Sequence, residues 1–407
     1  MGTPRRALVI AYYFPPLGGA GVQRTLKFVK YLPEFGWRAT VVSTRSRLYP
    51  SRDAALVHEI PDDTRVVRAP ALPIARYAAI VLHKLGWMRL KAYVAWPDGG
   101  LGWAPAAFVA AWREVRREPP DVIYSTSAPY GGHLVAMALH RLTGIPWVAD
   151  FRDEWAADDH ATDRPSLLMR LNGRIERAIR RQVAQTVVVA DYFRLAGDGP
   201  RTTITNGVDP EDVPEAEGSP PTDRFRLTYV GTVYGTIDLA PVLAALERLV
   251  AAGEVARDEL ELRIVGGIWL PGFAVPDGVP LTQSGYVGHD EAIAEMRQAT
   301  ALLLYRPPSS LAPSGKIFEY LAAERPVLCV TRPDNLAAQL VSEWDAGLVA
   351  HPADEGEIED ALRELLRRWR AGELAAPRGI RGRVLERFSR RELTRQLAGV
   401  LDDAIAR

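Results

Sequence analysis

The chain has 407 residues, 47% of them hydrophobic, and its 50 lysines and arginines balance 50 aspartates and glutamates. This length exceeds one ordinary core and favours two or more domains, whereas the charge balance argues against a protein that holds nucleic acid by bulk charge. The single cysteine, Cys329, excludes an internal disulfide, and no run reaches the ~18 apolar residues of a membrane span, so we expect a cytoplasmic protein.

The first half of the chain predicts a parallel α/β sheet. Short apolar runs of this kind suit strands that are buried on both faces; they lie at residues 8–11, 40–43, 122–126, 147–150 and 186–190. Between the first two runs, Val22, Leu26 and Val29 recur at i, i+4 and i+7, which predicts one face of a helix. Strand, helix and strand form a βαβ unit, and we assign residues 1–209 to one Rossmann-like domain.

The pattern restarts after a segment rich in Pro, Glu and Gly, which we interpret as a linker over residues 210–225. A second Rossmann-like domain is predicted for residues 226–385, with strands at 227–230, 262–265, 301–305 and 327–330 and helices at 239–250, 291–298 and 316–323. Residues 386–407 predict a helix that we expect to pack back on the N-terminal domain. Two doubly wound domains in series predict a ligand cleft between the carboxyl ends of their strands.

Glycines stand in the loop before the first predicted helix, in the order Pro15-Pro16-Leu17-Gly18-Gly19-Ala20-Gly21. Gly18 and Gly19 would let the backbone approach a ligand, and the helix N-terminus that follows favours an anion. The spacing differs from G-x-G-x-x-G, so the dinucleotide fingerprint is absent. A plain tight turn explains the loop equally well.

Titratable side chains follow two of the predicted strands. Asp150 and Asp153 flank Arg152 at the carboxyl end of one strand, where a carboxylate can accept a proton or balance a positive charge. A loop-holding ion-pair cluster of these three residues is the alternative. His133 begins a helix after another strand, and because a helix N-terminus disfavours protonated histidine, a neutral donor or base is expected there. A structural histidine is the alternative.

A lysine and a glutamate three positions apart open the helix that follows residues 301–305. Pro313 and Ser314 suit a helix start, and Lys316 and Glu319 would project from one face of its first turns. The cation suits a phosphate and the carboxylate can accept both hydroxyls of a ribose, whereas a surface salt bridge is the alternative. No Asp-x-Asp occurs in the chain, which favours charge neutralisation by Lys, Arg and helix dipoles over a divalent metal.

Taken together, these segments resemble the family 4 glycosyltransferases of the GT-B fold, in which two Rossmann-like α/β domains face each other across a cleft. The likeness runs over nearly the whole chain, from residues 12–24 to the Asn206-Gly207-Val208-Asp209 signature that closes the N-terminal domain. A bacterial polysaccharide-assembly branch is indicated by three further stretches, Trp96-Pro97-Asp98, Gly102-Trp103 and Ser125-Thr126-Ser127-Ala128-Pro129 leading to residues 150–155.

The resemblance implies a retaining, metal-independent transferase that moves a sugar from a nucleoside-diphosphate sugar to a glycan, a glycolipid or another hydroxyl acceptor. Glu319 would bind the donor ribose, Lys316 the diphosphate, and no cofactor is expected beyond the sugar nucleotide. Asp153 and Asp150, followed by His133, are the candidate catalytic residues on the acceptor side. The remaining donor-site candidates are Gly231, Thr232, Gly18, Gly19, Arg24, Arg306, Gly266 and Val287.

Two departures from the family pattern bear on the donor site. The acidic residue usual eight positions before the ribose glutamate is replaced by Leu311, and the loop 231–238 lacks the usual basic residue. The second departure places more of the phosphate charge on Lys316, helped by Arg24 or Arg306. A nucleotide-sugar epimerase of the same architecture and a catalytically silent nucleotide-binding partner subunit are the alternative functions, and Leu311 favours the second.

Residues 74–96 interleave basic and apolar side chains. Arg76, Lys84, Arg89 and Lys91 accompany Leu85, Trp87, Leu90 and Tyr93. This mixture is typical of a helix that lies in a membrane interface, here the inner face of the cell membrane. An amphipathic helix packed on the N-terminal domain is the alternative.

Overall fold

The computed structural model describes residues 3–45, 52–71, 102–155, 166–213, 223–235, 237–308, 314–375 and 379–407, together with scattered positions between 78 and 96. It divides into two compact units. Unit 1 comprises Met1–Asn206 with Arg390–Arg407, and unit 2 comprises Gly207–Ser389. Most of the predicted interfacial helix at 74–96 lies outside the described residues. No described helix has both the length and the apolar character needed to cross a membrane.

Unit 1 is built on a sheet whose seven described strands are all parallel, in the order β3-β2-β1-β4-β5-β6-β7. The strands are β1 Arg5–Ile10, β2 Trp37–Thr44, β3 Arg65–Ala69, β4 Val122–Thr126, β5 Trp147–Phe151, β6 Gln185–Val188 and β7 Arg201–Thr203. Its first helices are α1 Ala20–Tyr31, α2 Ala104–Arg117, α3 Gly131–Thr143 and α4 Ser166–Arg180. Short 3₁₀ helices span Leu32–Phe35 and Ala55–Glu59. The chain leaves β1 for β2 on one side and returns to β4 on the other, so the strand order reverses between β1 and β4.

Unit 2 repeats the plan with six described parallel strands in the order β10-β9-β8-β11-β12-β13. The strands are β8 Phe225–Val230, β9 Leu260–Val265, β10 Leu281–Gln283, β11 Ala301–Tyr305, β12 Val327–Val330 and β13 Gly347–Ala350. The helices are α5 Ala240–Ala251, α6 His289–Gln298, α7 Lys316–Ala322, α8 Leu336–Glu343, α9 Glu355–Arg370 and α10 Ile380–Phe388, with a 3₁₀ turn at Arg257–Glu259. Here the strand order reverses between β8 and β11.

The core of unit 2 lies on both faces of its sheet, because successive side chains of a strand point to opposite faces. Leu302 and Leu304 of β11 belong to the cluster that contains α6, α7, α8 and α10. Leu303, between them, belongs to the cluster formed with α5 and α9. Cys329 lies buried in β12, where burial raises the pKa of its thiol.

The last helix, α11 Arg390–Ala406, belongs to unit 1 although it follows unit 2 in sequence. Leu393, Leu397 and Leu401 join the hydrophobic cluster that contains β1 and α1. The indole Nε1 of Trp37 donates to Asp402 Oδ1 at 2.8 Å. Both units are thus parallel, doubly wound α/β sheets, which confirms the predicted fold class.

Candidate functional site

The loop that follows β1 turns sharply before α1. Leu17 N donates to Phe14 O at 3.2 Å, and the carbonyl of Pro15 accepts a hydrogen bond from Arg68. Gly19, the residue before α1, has φ +92°, a conformation that residues with a Cβ rarely adopt. Gly18 is buried and Gly19 is exposed. A glycine is therefore required by the turn at position 19, and the backbone there lies open to solvent.

Arg24 and Asp150 form a fully buried ion pair beneath this loop. Arg24 Nε and Nη2 donate to the two carboxylate oxygens at 3.0 and 2.9 Å. The same guanidinium donates to the carbonyls of Thr205 at 2.7 Å and Ile204 at 2.9 Å, so each of its three nitrogens is engaged within unit 1. Asp150 also accepts from the hydroxyls of Tyr124 and Thr126.

The burial of Asp150 alone would raise the pKa of its carboxyl, but the charge and hydrogen bonds of Arg24 outweigh burial and hold that pKa below its usual range. Asp150 is therefore an ionised, saturated acceptor. Proton transfer to Asp150, or diphosphate binding by Arg24, would require this pair to open. In this structure the pair ties α1 and β5 to the residues that follow β7.

His133 is buried in the first turn of α3 and is held in its neutral form. Burial lowers the pKa of its imidazole to about 3. Trp147 Nε1 donates to Ser125 Oγ at 2.8 Å, and Ser125 Oγ lies 2.8 Å from His133 Nδ1. His133 Nε2 is buried and has no hydrogen-bond partner among the described residues. The ring packs 4.5 Å from that of Phe151.

Asp153 is the exposed member of the three acceptor-side candidates. Its backbone carbonyl accepts from Tyr130 Oη at 3.1 Å, and the Tyr130 ring stacks on that of Trp155 at 4.4 Å. Arg152 donates to the carbonyls of Ser127, Ala128 and Gly21, which joins the loops after β4 and β5 to α1. The segment that presents Asp153 is thus held by ring stacking and by three hydrogen bonds from the Arg152 guanidinium to backbone carbonyls.

The strands β8 and β11 of unit 2 pair at two described positions, beyond which their register ends. The register joins Ala301 to Leu227 and Leu302 to Thr228. Beyond that point the buried hydroxyl of Tyr320, on α7, fills the gap. It accepts from Val230 N at 2.9 Å and donates to Leu303 O at 3.2 Å. Tyr320 therefore fixes α7 at the point of strand reversal, where open α/β sheets bind ligands.

Lys316 and Glu319 stand on this fixed helix. Lys316 Nζ lies 3.6 Å from Glu319 Oε2, and their side chains are 34% and 16% exposed. Glu319 Oε2 is buried without a hydrogen-bond partner among the described residues. A buried acceptor left in this state costs free energy unless a ligand or water supplies a donor. The arrangement offers a ligand one partly exposed cation, Lys316, and one carboxylate oxygen, Glu319 Oε2, that lacks a hydrogen-bond donor among the described residues.

His289, at the start of α6, is a titratable group that sequence reasoning missed. Burial lowers the pKa of the imidazole, but the hydrogen bond to Asp212 and the charge of Glu319 together raise it above its ordinary value. His289 Nε2 lies 3.0 Å from Asp212 Oδ2. No sequence signal joined these residues, because Asp212 and His289 are 77 positions apart.

Glycines allow the loops after β8 and β9 to approach each other. A Cβ on Gly266 would lie 2.1 Å from Gly231 O, and both residues have positive φ. Gly231 N donates to Val265 O, and Val233 N donates to Gly267 O. The carbonyl of Thr232 accepts weakly from Tyr229 Oη at 3.4 Å. The two loops therefore form one surface at the carboxyl edge of the sheet.

Two further donor-site candidates lie on the same unit. Arg306 continues β11, its N donating to Val330 O at 2.9 Å. Burial raises the pKa of the Tyr229 phenol in β8, and the charge of Arg306 partly opposes that rise. Val287 packs against the cluster that contains α7. The structure thus brings Lys316, Glu319 and these candidates together in unit 2, whereas the other donor-site candidates, Gly18, Gly19 and Arg24, belong to unit 1.

Residues 18–207 match the family model described as the glycosyl transferase 4-like domain. A search of curated proteins found no significant match. Among solved structures, sucrose-phosphate synthase from Thermosynechococcus elongatus is similar over 99% of this chain and 99% of its own, at 15% identity with a TM-score of 0.70. An α,α-trehalose-phosphate synthase (UDP-forming) from Burkholderia xenovorans matches over 98% and 100%, at 13% identity with a TM-score of 0.67. A glycosyltransferase from Rickettsia africae matches over 99% of both chains, at 12% identity with a TM-score of 0.62.

At such identities the structural similarity establishes the fold, which is that of the GT-B glycosyltransferases. The family match covers most of the first segment of unit 1, including the loop after β1 and the Asp150–Asp153 stretch. Together the two findings support sugar transfer in general. The molecule is therefore similar to family 4 glycosyltransferases, with a glycosyl transferase 4-like domain in a chain of GT-B fold.

Proposed function

We propose that the protein is a retaining, metal-independent glycosyltransferase that uses a nucleoside-diphosphate sugar. The observation that carries this proposal is the pair Lys316 and Glu319 at the strand reversal of unit 2. Glu319 Oε2 is buried and has no hydrogen-bond donor among the described residues. A ribose supplies two vicinal hydroxyls to such a carboxylate, and the adjacent ammonium suits the diphosphate attached to that ribose.

The nucleotide base would lie on the surface formed by Gly266, Gly267 and Val287. Support for this position comes from two exposed rings on the loops that follow β9 and β10. Trp269 is 65% exposed and Tyr286 is 56% exposed. Large aromatic rings left in solvent at the carboxyl edge of a parallel sheet are suited to stack on a planar base.

In the mechanism that we propose, the departing diphosphate oxygen takes the proton of the acceptor hydroxyl on the face where the sugar is delivered. The bond from the anomeric carbon to the diphosphate breaks as the bond to the acceptor oxygen forms on the same face. Lys316, with Arg306, stabilises the negative charge that develops on the leaving group. This chemistry depends on orientation and charge and requires no enzyme nucleophile.

On the acceptor side we propose Asp153 as the principal residue, followed by Asp150 and His133. Asp153 is exposed, whereas Asp150 and His133 are fully buried. Asp153→Asn is expected to lower kcat by at least about tenfold, a magnitude in keeping with lost general acid–base assistance, with unchanged donor affinity. Lost donor affinity with normal turnover would contradict the acceptor-side role. Asp191→Asn, at an exposed aspartate beyond β6, is the control.

We propose sugar acceptors, soluble or lipid-linked, of the kind used in surface-polysaccharide or glycolipid assembly. The similar Burkholderia xenovorans protein is a UDP-forming synthase in complex with glucose-6-phosphate, and another similar structure, from E. coli, is bound with UDP-2-fluoro glucose. The ligands of these two proteins support a nucleotide-sugar donor and a hydroxylated sugar acceptor as the kind of substrates.

A thermal-shift screen with nucleoside diphosphates and their sugars tests the donor proposal, because a ligand that binds the native state raises Tm. We expect one nucleoside diphosphate and its sugar to stabilise the protein, and turnover to survive EDTA with the anomeric configuration retained. An epimerase would convert the sugar nucleotide without any acceptor. A silent subunit would bind nucleotide without turnover, and a panel that leaves Tm unchanged would refute the donor site.

We propose peripheral membrane attachment through residues 74–96. Among the described positions of this segment, the apolar side chains of Val81, Leu85, Trp87 and Leu90 are exposed, as the apolar face of an interfacial helix would be. The full chain should float with anionic liposomes at low salt. Absence of co-migration would remove the membrane role and leave the packed-helix alternative.

A further inference from the structure

An open groove runs along α4 in unit 1, outside the residues assigned to sugar transfer. Its volume is about 560 Å³, within the range of small-ligand sites. One wall is the helix and the other is the loop at 194–196. The side chains that line it include three arginines of α4 and a fourth on the loop: Met169, Arg170, Arg174, Arg177, Arg194 and Leu195.

The three arginines of α4 form one face of the helix. Arg170, Arg174 and Arg177 recur at i, i+4 and i+7, which aligns them over about 10 Å of helix axis. All three side chains are exposed. Gly197 packs against the stem of Arg177, since a Cβ at position 197 would lie 2.9 Å from the Arg177 Cγ atom.

In the described part of the chain, these arginines have no carboxylate partner of the kind that neutralises other surface arginines. Within the described residues, no hydrogen bond or ion pair engages Arg170, Arg174 or Arg177. On α9 of unit 2 the opposite holds, because all four of its arginines are paired with a glutamate within 3.0 Å; these are Arg363, Arg367, Arg368 and Arg370. Among the described residues that line the groove, only Arg194 is paired, with Glu154 at 2.9 Å.

Neighbouring guanidinium groups that lack anionic partners repel one another, and an anion bound between them relieves this repulsion. Guanidinium groups present planar, paired donors that match phosphate oxygens bidentately. Met169 and Leu195 add apolar contact to the same walls. Leu167, one turn before Arg170, is 61% exposed. Charge and shape therefore both favour a phosphate-bearing molecule with an apolar or sugar portion.

We propose that the groove between α4 and residues 194–196 is a phosphate-binding site. The phosphate belongs either to a soluble phosphorylated compound or to the headgroup of an anionic lipid, and the same guanidinium chemistry serves both. The site does not depend on sugar transfer, because none of its residues belongs to the proposed donor or acceptor groups. Its function would be to hold a phosphorylated ligand at the surface of unit 1.

The test compares Arg170→Gln/Arg174→Gln with a matched control, Arg113→Gln/Arg116→Gln on α2. Both variants remove two exposed arginines from one helix of unit 1, so the change in net charge is the same. In the soluble arm, inorganic pyrophosphate is titrated by calorimetry into the free protein; both variants keep Lys316 and Glu319, so any binding at the proposed donor site is the same in both. In the lipid arm, flotation is measured with phosphatidylglycerol vesicles and with neutral phosphatidylcholine vesicles.

We expect the groove variant to weaken binding at least about tenfold in one arm, as loss of two charge-assisted contacts implies, with the control like wild type. Loss in the pyrophosphate arm identifies a soluble ligand, and loss in the phosphatidylglycerol arm identifies a lipid headgroup. Equal weakening in both variants shows nonspecific charge attraction and overturns the site. Absence of binding by the wild-type protein in both arms overturns it as well. Failure of the proposed donor site leaves these outcomes readable, because the groove is tested by the difference between the two variants.

Discussion

At the scale of single residues, the proposed donor site depends on Glu319 Oε2, a buried carboxylate oxygen without a hydrogen-bond partner among the described residues. Glu319→Ala should weaken nucleoside-diphosphate binding by about tenfold or more, since a charge-assisted hydrogen bond contributes roughly 1.5–3 kcal/mol. Lys316→Ala should weaken a nucleoside diphosphate much more than the bare nucleoside, because the ammonium acts on phosphate. Calorimetric titration of both ligands measures the difference.

The matched control for Glu319→Ala is Glu291→Ala, at an exposed glutamate in the first turn of α6. It removes the same charge from unit 2 and should bind nucleotide like wild type. Wild-type affinity in both Glu319→Ala and Lys316→Ala, with the fold intact by circular dichroism, would refute the donor site and most of the case for a sugar nucleotide.

His133 should make the stability of unit 1 depend on pH. The native pKa of its imidazole is depressed to about 3, below the ordinary value near 6.5. Between these two values, the unfolded chain binds a proton and the native state does not. The contribution of His133 to the free energy of unfolding is therefore fully present above about pH 6.5. It is lost as pH falls toward 3, at about 1.4 kcal/mol per pH unit. His133→Gln should lower Tm at pH 7 but flatten its decline between pH 6 and 4.

Thermal melts at pH 7, 6, 5 and 4 measure that decline. His58→Gln, at an exposed histidine, controls for the loss of any one imidazole and should melt with the wild-type pH dependence. A decline as steep in His133→Gln as in the wild type would show that His133 titrates freely in the native protein.

At the scale of elements, Tyr320 is the contact that sets α7 against the sheet. Tyr320→Phe leaves the buried Val230 N and Leu303 O without their partner, which costs about 1–3 kcal/mol. Because α7 carries Lys316 and Glu319, the affinity for the nucleoside diphosphate should fall as well. We therefore expect a lower Tm together with a higher Kd.

Tyr229→Phe provides the control, since Tyr229 is also buried on unit 2 but its hydroxyl makes only a 3.4 Å hydrogen bond, to Thr232 O. Tyr229→Phe should change Tm and Kd less than Tyr320→Phe does. A Tyr320→Phe protein with lowered Tm and wild-type nucleotide affinity would assign Tyr320 to stability alone and remove its role in positioning the site.

The strands that the sequence predicted are the central ones. The runs at 122–126, 301–305 and 327–330 coincide with β4, β11 and β12, because buried parallel strands are continuously apolar. The missed strands are β3, β7, β10 and β13, and each has exposed or half-buried residues. They lie at the sheet edges, where only one neighbouring strand imposes burial.

The candidate site was predictable where its residues lie close in sequence. Lys316 and Glu319 share one helical turn, so their spacing alone placed them together. The ion pair between Arg24 and Asp150 spans 126 positions, and the hydroxyl of Tyr320 reaches Val230 across 90. The tertiary fold brings such partners together, and no local sequence pattern predicts them.

At the scale of the whole molecule, unit 1 is completed by the end of the chain. The indole of Trp37 meets Asp402 across 365 positions, and α11 supplies leucines to the core built on β1 and α1. Such closure costs loop entropy before its contacts form. The N-terminal sheet therefore cannot bury its full core until unit 2 and α11 have been synthesised.

Leu397→Ala tests this dependence of unit 1 on α11. The side chain of Leu397 is 1% exposed, and truncation of a buried leucine costs about 2–5 kcal/mol. Since each unit has its own core, we expect separate melting transitions, of which the nucleoside diphosphate raises only that of unit 2. Leu397→Ala should lower the ligand-insensitive transition and leave the other in place, whereas Leu142→Ala, 62% exposed on α3, should change neither.

Calorimetry with and without the nucleotide separates the two transitions. A Leu397→Ala protein whose ligand-sensitive transition falls instead would show that α11 stabilises unit 2, contrary to the division of the chain into these two units.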